Sequence, residues 1–465
     1  MHKALFSLIL SFSLSLLAQA DNNQPIALQN IQRAIDIAEA SWRTSMKGDA
    51  DNLYMADRYN TITDEASGPA DVWPYTAAIE AHCSILEALN AIKRIAPKLY
   101  DANFTKFKTR LDHLISNLEY YRGTYTLSSY ASCKQWSVFA VPRAKQRGAA
   151  DVSGILNVYD DQMWLARELI RAYRITNNKK YLAEATYLTD YVLDGWDCWR
   201  NENGEEYGGI TWGPGYNSKH ACSNAPIIQS LVWLADIYKN SYETINYAHR
   251  HTDNSLTIVT RTRAEHYLDF AKRVYNWQKT NLRHSSGVYW DMMGADNTIT
   301  VKDGYRQHMR CGHPTGNFFS YNTGTMIAGA AELFRATNNE TYRTEMSESV
   351  KASLNQFAKY IRDLNTYEFI SDKTAENGFN TWFNNVLMRA LVDAAPITLN
   401  NSAKTALTAF QTNLDYAFEH HNRHNMLPIH LLNGWGDEAV TKAFHQFSFA
   451  AEYAILALWH LNSKS

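Results

Sequence analysis

The sequence predicts an all-α fold, a toroid of six antiparallel helical pairs. Two observations predict it. Apolar residues recur at helical spacing along most of the chain, and no run alternates strictly enough to mark a half-buried strand. The links between the periodic segments are also alternately long and short, as expected when paired helices stand up and down around a ring.

The chain opens with Met1-His2-Lys3, an apolar run from Ala4 to Leu17 and the small-residue exit Ala18-Gln19-Ala20. That pattern predicts a secretory signal peptide over residues 1–20 and a secreted or periplasmic protein. No cysteine follows the expected cut, so no lipid-attachment site is expected. No later segment approaches the roughly 18 uninterrupted apolar residues of a membrane span. Residues 21–465 are expected to form a single domain, acting as a monomer.

Helices are predicted at Ile26–Lys47, Val72–Ala96, Asn103–Arg122, Asp161–Thr176, Lys180–Trp196 and Asn224–Lys239, then at Arg261–Leu282, Asn317–Thr337, Glu340–Leu364, Gly378–Asp393, Ser402–His421 and Asp437–Leu461. Links after odd-numbered helices are long: Gly48–Asp71, Gly123–Asp160, Asp197–Ser223, Arg283–Gly316, Asn365–Asn377 and Asn422–Gly436. Links after even-numbered helices are short, as at Asn177–Lys179 and Asn338–Asn339, with Asn240–Thr260 the exception. Every long link should therefore lie at one end, where a rigid scaffold would hold functional loops. Even-numbered helices start at that end. Stretches such as Ala328-Gly329-Ala330-Ala331 and Phe449-Ala450-Ala451 are small or apolar all round, which marks an inner ring buried on every side.

Composition excludes some functions. The formal charge is −2, from 45 basic and 47 acidic residues, with no basic stripe, which argues against nucleic acid or an anionic membrane as partner. Five cysteines lack zinc-finger spacing. Cys198 and Cys222 flank one link, either as a disulfide or as two buried thiols. Aromatic residues make up 13%, including 28 Tyr and 13 Trp, and those in loops would suit the C–H faces of sugars.

The chemistry centres on Asp160 and Asp161, at the mouth of the fourth helix within Tyr159-Asp160-Asp161-Gln162-Met163-Trp164. Asp is a favoured first-turn residue, and that is its ordinary role. Two acids beside aromatic rings are also what glycosidic cleavage needs, one to attack or activate and one to protonate. Other segments reach the same end. They are Tyr207-Gly208-Gly209-Ile210-Thr211-Trp212, Lys219 to Pro226 (where Ser223-Asn224 also suits a helix cap), Gly287 to Asp291, Phe319 to Gly324 and Gly378 to Phe383.

Together these motifs resemble glycoside hydrolase family 76, the endo-α-1,6-mannanases. The shared features are Asp160-Asp161 with Trp164, Gly208 to Trp212, Lys219 to Pro226, and Tyr321-Asn322-Thr323-Gly324. The resemblance runs from about the first helix to Phe379–Phe383. It implies an (α/α)6 barrel and a retaining hydrolase of α-1,6-linked mannan, with Asp160 as nucleophile, Asp161 as acid/base and no cofactor. Retention calls for carboxyl groups roughly 5–5.5 Å apart. Implied substrate-binding residues are Tyr159, Gln162, Trp212, Asn224, Trp290, Asp291, Tyr321, Asn322, Trp382 and Phe383, with Asp291 a hydroxyl partner on the opposite wall. The chain departs from the family at Thr323 and Thr211.

Rival readings are a transglycosylase using the same intermediate and a glycan-binding protein without turnover. No metal is expected. His420, His421, His424 and His430, like His308, Cys311 and His313, lack the helical His-x-x-x-His zinc pattern with its acid. Asp49, Asp51 and Asp57 lack calcium-loop spacing.

Overall fold

A computed structural model of the chain describes residues 2–294, 298–369, 380–437 and 439–463, without the side chains of residues 2–22 and 380. The described residues hold twelve α-helices: α1 (His2–Ser45), α2 (Val72–Ile92), α3 (Pro97–Asn117), α4 (Tyr159–Thr176), α5 (Lys179–Asp194), α6 (Pro226–Tyr238), α7 (Arg263–Leu282), α8 (Ser320–Thr337), α9 (Glu340–Phe357), α10 (Asn380–Ala394), α11 (Ser402–His420) and α12 (Ala443–Asn462). Each even-numbered helix touches the next, from α2 round to α12, and α12 closes on α2. The odd-numbered helices pack outside them, α3 on α2, α5 on α4, α7 on α6, α9 on α8, α11 on α10 and α1 on α12. The fold is an (α/α)6 barrel.

Burial sorts the helices between the rings. In α12 every residue from Ala443 to Ala457 is buried, whereas α3 buries only Asn103, Phe107, Leu111, Leu114 and Asn117, one stripe facing inwards. Each large apolar side chain removed from water contributes about 1.5–3 kcal/mol. Gly329 lets α8 approach α6, since a Cβ there would lie 2.9 Å from Ile228 Cγ2.

The short links reuse one device. Asn177 and Asn338 end α4 and α8 in the left-handed region, at φ 56° and 53°, which Asn tolerates better than most residues. Asn178 and Asn339 then cap α5 and α9 through their side chains, accepting from Lys180 N and Thr341 N.

The long links contain strands that periodicity did not predict. Arg122–Ser128 pairs with Cys133–Phe139, and Ala358–Ile361 with Thr366–Phe369. Tyr54–Asn60 pairs with both Glu65–Pro69 and Val440–Lys442. The ninth predicted helix therefore stops at Phe357, and the twelfth begins at Ala443. The third starts earlier than predicted, at Pro97, whose fixed φ suits a first turn. The exceptional link after α6 is a hairpin, Thr244–Arg250 with Leu256–Thr262. Its Arg250 reaches the Tyr130 carbonyl at 2.8 Å and lies 3.7 Å above the Trp199 ring. The predicted start of the tenth helix, Gly378, lies outside the described residues.

Ion pairs tie the inner ring together below its mouth. Glu80 of α2 meets Arg389 of α10 and, at 3.7 Å, Arg167 of α4. Glu168 pairs with Arg167 and, at 2.7 Å, with Arg171, which also holds Glu87 of α2 at 2.6 Å. Gln229 of α6 bridges Arg167 to Asp393 through two 3.0 Å hydrogen bonds.

Candidate active site

The first turns of the inner helices converge on a cleft of about 880 Å³. Asp71, Trp73 and Pro74 come from the start of α2, and Asp160, Asp161 and Trp164 from α4. Phe319 and Tyr321 come from α8, Trp382 and Phe383 from α10, and Phe444 from α12. Trp212, Tyr216, His220 and Cys222 arrive on the link before α6, and Asp291 on the link after α7. Asp57, Arg58 and Ser67 of the first hairpin wall one end.

Rings furnish most of the wall. Tyr321 and Phe383 centroids lie 4.2 Å apart, and Trp164 meets Trp382 edge-on at 4.9 Å. Trp212 packs on Tyr216 and His220.

Asp160 and Asp161 share the first turn of α4, where unsatisfied backbone N–H groups and the helix dipole favour negative charge. Their environments diverge all the same. Burial pushes the Asp160 carboxyl up to about 6; the Cys222 thiol, the backbone N–H groups of Asp160 and Asp161 and the Trp212 indole oppose that rise. Asp161 is 5% exposed and has no such help. Burial first, then the charges of Asp160 and Asp71, push its carboxyl well above the carboxylate range. The pair therefore splits into an ionisable Asp160 and a proton-holding Asp161. Asp291, opposite, is raised to about 6 by burial, with Asn322 Nδ2 donating to it at 3.4 Å. Burial lowers His220 to about 4, so its imidazole is neutral near pH 7.

Of the ten expected substrate-binding residues, Trp212, Asp291, Tyr321, Trp382 and Phe383 line the cleft. The other five are not among the residues that line it. Tyr159 is buried against Tyr191. The Gln162 amide holds the Phe139 backbone, accepting from its N–H and donating to its carbonyl. Asn224 does the same for Ile210. Trp290 packs on His284 and Phe318. Asn322 is fully buried beneath Asp291. Thr211 and Thr323 are also buried behind the wall.

Asp71, Trp73, Tyr216 and Phe444 are cleft residues that motif reading missed. Asp71 and Phe444 open inner helices at the same end as Asp160, so the rule that singled out Asp160 would have found them. Although Asp71 occupies the N-cap of α2, its side chain makes no capping hydrogen bond.

Three of the clustered histidines, His308, His420 and His421, pack against tyrosines. His308 stacks on Tyr207 and donates through Nδ1 to the buried Asp197 carboxylate, which also holds Lys219. His420 and His421 lie against Tyr416. Cys198 and Cys222 are free thiols, Cys198 meeting the Tyr130 carbonyl and Cys222 facing the cleft. Among the described residues, no group of three or more His, Cys, Asp or Glu side chains is arranged to hold a metal ion. Nor, among the described residues, is any helix long and apolar enough to cross a membrane.

A family model described as glycosyl hydrolase family 76 matches residues 149–255 and 253–455. Mannan endo-1,6-alpha-mannosidase DCW1 of Saccharomyces cerevisiae is 26% identical over 176 residues, 37% of this chain and 31% of that protein. Mannan endo-1,6-alpha-mannosidase DFG5 of Candida albicans is 26% identical over 35% of this chain and 29% of its own length. The matched stretch thus spans about a third of these curated relatives. Among solved structures, a family 76 mannosidase of Bacteroides thetaiotaomicron superposes with TM-score 0.65 at 18% identity, over 92% of this chain and 98% of that one. An inactive variant of a Salegentibacter α-1,6-mannanase, solved with α-1,6-mannotriose, gives TM-score 0.60 at 17% identity, over 92% and 99%.

Proposed function

The chain belongs to glycosyl hydrolase family 76, and from that premise we propose an exported endo-α-1,6-mannanase that works by retention. The observation that carries the reading is the split between two adjacent carboxyls at the cleft floor. Asp160, the acid with donors around it, attacks the anomeric carbon of an α-mannosyl unit. Asp161, which keeps its proton, delivers it to the departing glycosidic oxygen. Asp161 then takes a proton from the water that releases the covalent intermediate. No cofactor enters the reaction.

Substrate placement falls to the walls. Trp212, Tyr321, Trp382 and Phe383 offer ring faces and edges to sugar C–H groups, and Asp291 accepts from a hydroxyl. Residues 1–20 act as the export signal, and residues 21–465 form one catalytic domain. Names of the yeast relatives and the mannotriose complex support α-1,6-mannan as substrate.

Release of oligosaccharides from α-1,6-mannan tests this reading. It should be lost in both Asp160→Asn and Asp161→Asn; ordinary release by either variant removes the mechanism.

A further inference from the structure

One link breaks the alternation that otherwise keeps long loops at the mouth. It joins α6 to α7 as the hairpin Thr244–Arg250 with Leu256–Thr262. At its base Arg263 N donates to the Glu243 carbonyl at 2.9 Å. At its tip Arg200 Nε donates to the Arg250 carbonyl at 2.6 Å, and Arg200 N to Asn254 Oδ1 at 2.9 Å. A hairpin anchored at both ends makes a preformed wall.

Between this hairpin and the pair Arg122–Ser128 with Cys133–Phe139 lies a second cavity, of about 490 Å³, whose walls α5 and α7 complete. It shares no lining residue with the cleft. Its volume falls among those of small-molecule pockets, about 300–1,000 Å³.

Rings dominate the lining. Trp136 meets Tyr187 edge-on at 5.3 Å, Trp196 meets Phe270 edge-on at 5.9 Å, and Tyr247 lies 4.8 Å from His266. The charges are largely matched. Asp190 accepts from Arg263 at 3.0 Å and from Tyr267 at 2.7 Å. Glu206 meets Arg273, Arg200 and, at 2.9 Å, the Trp196 indole. Lys134 and Asp194 add one charge of each sign, with the Lys134 ammonium 4.1 Å above the Trp136 ring. Such a lining favours a neutral polar ligand over an ionic one.

Three polar atoms of these lining residues have no hydrogen-bond partner in the protein: Trp136 Nε1, Asp194 Oδ2 and His266 Nδ1. Trp136 is 4% exposed and His266 2%, and polar groups so buried are ordinarily paired. The indole donates and the carboxylate oxygen accepts. Burial, reinforced by Arg273, lowers His266 to about 3, so its neutral ring offers one donor and one acceptor. Hydroxyl groups both give and take hydrogen bonds, and sugars add C–H faces for the rings.

We infer that this outer cavity is a second, non-catalytic site for a segment of the mannan chain, holding the polymer to the enzyme while the cleft cuts it. The choice of mannan rests on the substrate proposed above. An uncharged, hydroxyl-rich ligand follows from the cavity itself.

The Trp136 indole N–H serves as the probe, its ¹⁵N–¹H signal assigned with Trp136→Phe. In the Asp160→Asn chain, α-1,6-mannotriose should move that signal saturably. Ala248→Trp, which adds a ring on the cavity wall, should abolish the movement while the Trp212 and Trp382 signals of the cleft still respond. Tyr247→Ala, which removes a ring instead, should raise the midpoint of the Trp136 response about fivefold or more. In chains that retain Asp160, both variants should raise KM for polymeric α-1,6-mannan about three- to tenfold, and leave kcat/KM for short α-1,6-mannooligosaccharides within about twofold.

A Trp136 signal that stays still, that moves equally in Ala248→Trp, or whose midpoint is unchanged in Tyr247→Ala overturns the second site, whatever the cleft does. Still cleft signals with no oligosaccharide release overturn the proposed function instead, and a Trp136 response lost in Ala248→Trp upholds the second site even then.

Discussion

Helix α4 carries acids at two levels of the same barrel. Asp161 sits at the mouth, and Glu168 lies seven residues on, about 10 Å deeper on nearly the same face. Both are buried. At the deeper level the acids meet guanidinium groups. Burial pushes Glu80 up, but Arg389, Arg167 and Arg171 outweigh it and hold Glu80 below its usual value. At the mouth no cation offsets burial, and Asp160, Asp161 and Asp291 are all raised. Glu452, an interior acid of α12 influenced by Glu80 rather than by any arginine, is likewise pushed well up. Burial is common to both levels; pairing divides them. Paired acids bind helices together, while unpaired ones at an open cleft can move protons.

Removing charge at the mouth should have the largest effect on function. Asp160→Asn and Asp161→Asn should each cut oligosaccharide release by about 10³–10⁴-fold or more. Their melting temperatures should hold or rise, since each removes a carboxyl that burial pushes towards its neutral form. Removing charge at the deeper level should reverse that pattern. Arg389→Met strands Glu80 and should cost about 3–5 kcal/mol in denaturant unfolding, whereas Glu80→Met combined with Arg389→Met should cost less. Asp291→Asn should lower kcat/KM by about 10–100-fold, mainly through KM, as expected for a lost hydroxyl partner.

The smallest effect separates the two levels by pH. Asp160, at about 6 when folded against about 3.9 unfolded, holds a proton in the folded state that the unfolded chain releases. Stability should therefore fall as pH rises through that window, and Asp160→Asn should flatten the slope. Glu80, lowered on folding, contributes stability present above its unfolded value of about 4.3 and lost as pH falls through its folded value. Denaturant unfolding across pH 3–7 measures both slopes.

Much of this arrangement was legible in the sequence. Helical periodicity and link lengths predicted twelve helices with the even-numbered ones inside. Because inner helices start at the long-link end, Asp160 and Asp161 were expected at the mouth, where they stand. The hairpins within the links were not foreseen. Strands such as Arg122–Ser128 are short, and their pairing partners, not an apolar face, define them. Gln162 and Asn224 show a second limit. A polar residue next to a motif can be spent entirely on a neighbour's backbone, and no local pattern reveals which carbonyl it will meet. Asp71 illustrates the converse, a carboxyl that resembles a routine N-cap yet leaves the helix uncapped and lines the cleft.

The division of labour at the mouth can be read from one covalent bond. A 2-deoxy-2-fluoro-mannosyl donor with a good leaving group slows release of the glycosyl-enzyme, so peptide mapping by mass spectrometry can locate the sugar. The account predicts a single adduct on the peptide containing Asp160, at Asp160 itself. An adduct on Asp161 or Asp291, or product released with inverted anomeric configuration and no adduct, would contradict it.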